Sequence, residues 1–164
     1  MCLTYKKSST EKTIDKYKEI IAKTGDKNPY LVFWKVYQLE EIGLFPIFYG
    51  GSCPIDIDSK SGEIISDRSK KTSEPHERKK GRKAYYYQGI HVYTDRSLAR
   101  RSLMDFNKYR QNSIVMISVH GYYRDFIAAG ECDDAVFMKV TIPKVTRDRM
   151  KKRINNLRLK SSKT

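Results

Sequence analysis

Two stretches of this sequence concentrate cationic side chains of the kind that bind phosphates. In the first, five of six consecutive residues are Lys or Arg, and three tyrosines follow at 85–87. Its candidate ligands are Arg78, Lys79, Lys80, Arg82, Lys83, Tyr85 and Tyr87. Cationic side chains contact phosphates whatever the base sequence, and tyrosine rings stack on unpaired bases. The combination favours single strands or RNA. The alternative is that the tyrosines are structural, since alternation along a strand sends Tyr85 and Tyr87 to one side and packs Tyr86 into the core. The five basic residues also fit a nuclear localisation signal.

The second stretch is the last segment of the chain, where apolar residues recur at helical spacing. Met150, Ile154 and Leu157 share one face of a predicted helix, which we expect Thr146 to cap. The candidate phosphate contacts on this helix are Arg147, Arg149, Lys151, Lys152, Arg153 and Arg158. Such a helix could lie along a nucleic acid or on an anionic membrane surface, but its apolar face is thin for a membrane.

The charge distribution supports these two stretches as the polyanion-binding segments. The net charge is +14, from 33 Lys and Arg against 19 Asp and Glu. Residues 59–83 carry 9 basic and 4 acidic side chains, and residues 144–164 carry 9 and 1. These segments thus hold +5 and +8 of the excess, and the rest of the chain is nearly neutral. Concentrated positive charge attracts polyanions, through phosphate contacts and the release of counterions.

A second set of polar residues could instead serve an enzyme that acts on a nucleotide or nucleic acid. Its candidates are His91, His120, Asp125 and Glu131, provided that some of them converge in a pocket. The three histidines and three cysteines form no C-x-x-C or H-x-x-x-H pair, so we predict no metal site and no cofactor.

The elements that must position these residues alternate between helix and strand. Ser8, with Glu11 three residues later, predicts a capped helix that ends near Gly25. A second helix should begin after Thr94 or Asp95, with Ala99, Leu103 and Phe106 on its apolar stripe. Strands are predicted at 31–37, 84–93 with a break at Gly89, 113–123 and 135–142, and a short strand or aromatic loop at 43–51.

This order predicts an α+β fold: a single small domain with a mostly antiparallel sheet flanked by two or three helices. We expect one domain over residues 1–143, with a mobile basic loop at about 66–83, and a basic helix and tail over residues 144–164. No apolar run approaches the length of a membrane span, so we expect no integral membrane association.

Several short stretches resemble a loose group of small uncharacterised proteins from phages and large DNA viruses. The resemblance rests on the opening Met1-Cys2-Leu3-Thr4, on residues 87–99, and on 125–130 followed by 134–137. It implies a small α+β domain of viral type and no particular activity. A fainter likeness is to the ADP-ribosyltransferase superfamily, in which a Gly-aromatic strand precedes a helix with Ala at this spacing. It implies that His91 or His120 grips NAD and that Glu131 is the catalytic glutamate.

The leading hypothesis is a basic viral or phage protein that binds DNA or RNA largely without sequence preference. The alternatives are the nucleotide- or nucleic-acid-modifying enzyme and a viral interaction module for an acidic protein partner. The first residues contain no apolar stretch of signal-peptide length. We therefore expect a protein that is not secreted and that acts in the host cytoplasm or nucleus, or inside a virus particle.

Overall fold

A computed structural model of the chain describes residues 5–47, 54–66, 74–78, 82–86, 89–109 and 113–162. Within these ranges the α-helices are α1 (Lys7–Thr24), α2 (Arg96–Tyr109) and α3 (Lys144–Ser161). The strands are β1 (Tyr30–Glu40), β2 (Gly43–Pro46), β3 (Glu63–Ile65), β4 (Glu74–Arg78), β5 (Arg82–Tyr86), β6 (Ile90–Tyr93), β7 (Ile114–Tyr122), β8 (Phe126–Ala129), β9 (Asp134–Phe137) and β10 (Lys139–Thr141). A 3-10 turn, Tyr123–Asp125, joins β7 to β8.

The main sheet is antiparallel, and the predicted α+β class is confirmed. Its strands follow the order β3-β10-β7-β1-β6-β9-β8. The eighth strand, β2, pairs with the last four residues of β1, after the residue that pairs with β6. The predicted strand at 31–37 is the centre of this sheet, because β1 pairs with β7 from Tyr30 to Gln38 and with β6 on its other side. Aromatic and β-branched residues suit such a position because they pack well on a pleated surface.

The strand predicted at 135–142 is broken at Met138 into two strands with different partners. β9 pairs with β6, and β10 pairs with β7 and β3. In a flat sheet these two positions would lie about 19 Å apart, four strand spacings of about 4.8 Å. One residue cannot bridge that distance, so the sheet curves until the segment 134–141 closes it.

The curved sheet has an inner and an outer face, and helices pack against part of each. The inner face holds the larger core, which includes Tyr17 from α1 and Met150 and Ile154 from α3. The Tyr17 hydroxyl donates a 2.6 Å hydrogen bond to the Gly121 carbonyl of β7, which ties α1 to the sheet. On the outer face, α2 packs Ala99 and its neighbours against a smaller core around Val36.

The predicted helix ends are partly right. Gly25 ends α1 in the left-handed conformation, and the Asp95 carboxylate accepts a 3.0 Å hydrogen bond from the Leu98 amide at the start of α2. The prediction for Ser8 is wrong, because α1 begins at Lys7 and its N-cap, Lys6, makes no side-chain capping bond. The prediction for Thr146 is also wrong, because α3 begins at Lys144 and Thr146 is buried, with its hydroxyl 3.2 Å from that of Ser118.

Lys35 of β1 carries an amine into the inner core. Its Nζ donates a 2.7 Å hydrogen bond to the His91 carbonyl of β6 and lies 5.5 Å from the centre of the Tyr37 ring. The described part of the β1–β6 ladder has one residue pair, Trp34 with Tyr93, so His91 is not paired with the β1 backbone and its carbonyl accepts a hydrogen bond from the Lys35 side chain instead. Burial disfavours the charged amine and lowers its pKa from 10.5 to about 8.

This lowered pKa predicts a pH-dependent stability. The unfolded chain binds more protons than the folded one between about pH 8 and pH 10.5, so the contribution of Lys35 to stability rises with pH there. We expect the protein to gain about 1 kcal/mol of unfolding free energy from pH 7 to pH 9, and Lys35→Met to gain almost none. Urea denaturation across this range checks the prediction; a slope retained in Lys35→Met would contradict it. Lys12→Met, at an exposed position of α1, is the control and should keep the full slope.

Candidate nucleic-acid interface

Helix α3 joins the folded body through the apolar face that its sequence predicts. Met150 and Ile154 are buried in the inner core, and Leu157 packs against it. With about 100° of rotation per residue, the cations of α3 fall on two sides of this buried stripe. One side faces the loop at residues 56–62 and the turn after β1, and the other faces solvent.

Arg147, on the loop-facing side, is a structural residue. Its side chain is buried, and its two terminal nitrogens donate hydrogen bonds to the carbonyls of Ser59 and Lys60, the second at 3.2 Å. Gly62 has a φ of +64°, and its missing side chain leaves room for the guanidinium. The prediction that Arg147 is a phosphate contact is therefore wrong, because its guanidinium is buried and bonded to the carbonyls of the 56–62 loop.

Two further cations on the same side of α3 also have partners in the protein. Lys151 Nζ lies 2.8 Å from the Asp58 carboxylate, and the hydrogen bond and charge of this lysine lower the pKa of Asp58. Arg158 donates a 2.6 Å hydrogen bond through Nε to the Glu41 carbonyl. Both side chains stay within reach of solvent, but a phosphate would have to compete with these contacts.

The solvent-facing side carries the remaining predicted contacts of α3. Arg149, Lys152 and Arg153 are all exposed there. Their spacing of three and four residues keeps them on one surface, with about 6 Å of rise from Arg149 to Arg153. Asp148 is the acidic residue of this exposed surface. The arrangement offers three guanidinium or ammonium groups to one polyanion without disturbing the core.

Helix α2 carries a second basic surface that our sequence analysis missed. Arg96, Arg100, Arg101 and Lys108 are exposed on it, with Lys108 Nζ 3.5 Å from Asp105. The signal was present, because at about 100° per residue these cations fall outside the apolar stripe of Ala99, Leu103 and Phe106, and Arg101 and Lys108 lie opposite it. The charge count over residues 84–143, whose net charge is only +1, concealed the basic surface of α2 because acidic residues elsewhere in that segment offset its cations.

The basic segment before the tyrosines is in part a hairpin, where we predicted a loop over about 66–83. β4 and β5 pair antiparallel, with Arg78 opposite Arg82, Glu77 opposite Lys83 and Pro75 opposite Tyr85. Backbone pairing of this kind does not need the apolar residues on which our strand prediction relied. The candidates Lys79, Lys80 and Tyr87 lie outside the described residues.

The polar residues of the enzyme hypothesis lie on different elements. His91 is buried in β6, and His120 is half-buried in β7, on the other side of β1. Asp125 belongs to the 3-10 turn, and Glu131 is exposed in the turn between β8 and β9. Burial lowers the pKa of His120, which favours the neutral ring.

Among the described residues, no group of three or more His, Cys, Asp or Glu side chains is placed to hold a metal ion. None of the described helices is both long enough and apolar enough to cross a membrane. No protein-family model, curated protein or solved structure matches this chain.

Proposed function

We propose that this protein binds nucleic acid through the solvent-facing side of α3, mainly by phosphate contacts and with little sequence preference. One observation carries the proposal: α3 exposes Arg149, Lys152 and Arg153 together, on a helix that the core holds in place. A positioned helix pays little conformational entropy when its side chains meet a phosphate backbone. The exposed cations of α2 and the net charge of +14 add long-range attraction.

A polyanion suits this surface better than a membrane does. The large apolar side chains exposed on α3 are Val145 and Leu159, 75% and 61% exposed. They stand about 21 Å apart along the helix axis and form no continuous stripe. An interfacial membrane helix needs such a stripe to insert between lipids.

The test is the salt dependence of binding to fluorescent single-stranded and duplex DNA and RNA. Each phosphate contact contributes roughly 0.7 to 0.9 to the slope of log affinity against log salt. We therefore expect the triple variant Arg149→Gln, Lys152→Gln, Arg153→Gln to reduce that slope by about 2. Absence of binding by the unmodified protein at physiological salt would overturn the proposal.

A matched control separates a local site from general charge. Lys12, Lys16 and Lys18 are exposed on α1, where acidic residues are interspersed. Changing these three to glutamine removes the same charge and should leave the slope almost unaltered. Equal losses in the two triple variants would show that net charge alone drives binding, and the assignment to α3 would fail.

A further inference from the structure

Part of the outer face of the sheet is not covered by α2. Tyr30 and Val32 of β1 and His120 and Tyr122 of β7 lie there side by side, and we call these four residues the aromatic patch. Tyr30 is 46% exposed and Val32 is 44% exposed. Large apolar and aromatic groups left in solvent next to one another are typical of a contact surface.

The rings of the aromatic patch are held in place before any partner arrives. Tyr30 stacks on His120 with ring centroids 3.9 Å apart and 12° between the planes, and Tyr122 tilts against Tyr30 at 5.7 Å. The backbone at this end of β1 is tied to the 3-10 turn, since the Pro29 carbonyl accepts a 3.0 Å hydrogen bond from the Tyr123 amide. A ring fixed in this way loses little entropy when a second ring stacks on it.

Two exposed arginines lie in the chain segments next to the aromatic patch. Arg124 is exposed directly after Tyr122 and Tyr123, and its backbone amide is bonded to the Asn28 side chain, two residues before Tyr30. Arg96 is exposed at the start of α2, three residues after Tyr93. Tyr93 pairs with Trp34, which is the next residue after Val32 on the outer face of β1.

Carboxylates occur in the same segments: Asp95 precedes Arg96 and accepts a hydrogen bond from the Leu98 amide, and Asp125 follows Arg124. On a neighbouring strand Glu63 is paired with Lys139, at 2.7 Å. The patch thus combines fixed aromatic rings with nearby guanidinium groups, which is the combination that binds single-stranded nucleic acid.

We propose that the aromatic patch is a stacking platform for unpaired bases, so that the nucleic acid bound by this protein is single-stranded. This inference rests on the proposed function and adds the strand type and a second contact surface. Bases would stack on the exposed Tyr30 ring, while Arg124 and Arg96, exposed in the adjoining segments, would meet the backbone. A duplex, whose bases are paired and stacked on one another, would gain nothing from the patch.

The experiment compares binding of a single-stranded oligonucleotide with that of the same strand carrying abasic sites. Tyr30→Ala should weaken binding of the intact strand by about tenfold at fixed salt, leave the salt slope unchanged, and leave the abasic strand unaffected. Tyr30→Phe keeps the ring and should bind like the unmodified protein. Ile42→Ala, at a 65% exposed apolar position outside the patch, is the control and should bind both strands normally.

The outcomes separate this inference from the proposed function. If the triple variant of α3 loses its salt slope while Tyr30→Ala binds the intact strand normally, the nucleic-acid function stands and the stacking platform is wrong. If Tyr30→Ala weakens the intact and abasic strands equally, the residue acts through the fold, and the platform is again wrong. If the unmodified protein binds neither strand, both proposals fail.

Discussion

Replacing Arg147 with methionine should lower the free energy of unfolding by about 3 kcal/mol. The substitution removes two hydrogen bonds from a charged donor, which leaves the Ser59 carbonyl with the Gly62 amide and takes this donor from the Lys60 carbonyl. Hydrogen bonds to charged groups contribute about 1.5 to 3 kcal/mol each. Methionine retains the apolar stem of the arginine side chain, so the loss reports mainly on the hydrogen bonds.

Arg149→Met provides the comparison, two residues further along the same helix. Arg149 is exposed, and we expect its replacement to change the unfolding free energy by less than about 0.5 kcal/mol. Urea denaturation of the two variants measures both values. Equal stabilities would contradict the assignment of Arg147 to the 56–62 loop. The two variants should also differ in the binding assay. We expect Arg149→Met to reduce the slope of log affinity against log salt and Arg147→Met to leave it unchanged.

Gly62→Ala should cost about 2 kcal/mol more than Gly25→Ala. Both glycines have left-handed backbone, with φ of +64° and +71°, so both substitutions carry the penalty of that conformation. At Gly25 an added methyl group meets nothing within 4 Å. At Gly62 it would lie 2.6 Å from the Ile142 carbonyl oxygen and 2.7 Å from Arg147 Nε.

The crowding at Gly62 cannot relax easily, because the Ile142 amide donates a 2.8 Å hydrogen bond to the Gly62 carbonyl. A shift of either backbone would weaken that bond and the Arg147 contacts together. Denaturation curves of Gly62→Ala and Gly25→Ala give the difference directly. Equal losses would mean that the loop yields to the methyl group and that Arg147 does not fix its position.

Local patterns in the sequence were enough to predict most elements of the fold. The aromatic and β-branched run at 31–37 identified the central strand, and Asp95 marked the start of α2 because its carboxylate caps a neighbouring amide. The break at Met138 was not predictable in this way. An apolar run fixes the existence of a strand, whereas its partners depend on residues distant in the chain.

The same limit explains how far the sequence could place the candidate site residues in the fold. Periodicity placed Met150, Ile154 and Leu157 on the core side of α3, and the cations elsewhere. It could not distinguish Arg147 from Arg149, because the acceptors of Arg147 lie 87 and 88 residues away in the 56–62 loop. The aromatic patch was missed for a related reason, since Tyr30 and His120 meet only through the pairing of β1 with β7.

The closing segment 134–141 also fixes the order in which this chain can fold during synthesis. Until it leaves the ribosome, β6 lacks its partner β9, and β7 lacks its partner β10. A nascent chain therefore exposes these unpaired strand edges until the segment emerges, and such edges attract other strands. Closure joins residues far apart in the chain, a topology that slows folding. The last strands made complete the sheet, and α3, emerging after them, covers the core that they enclose.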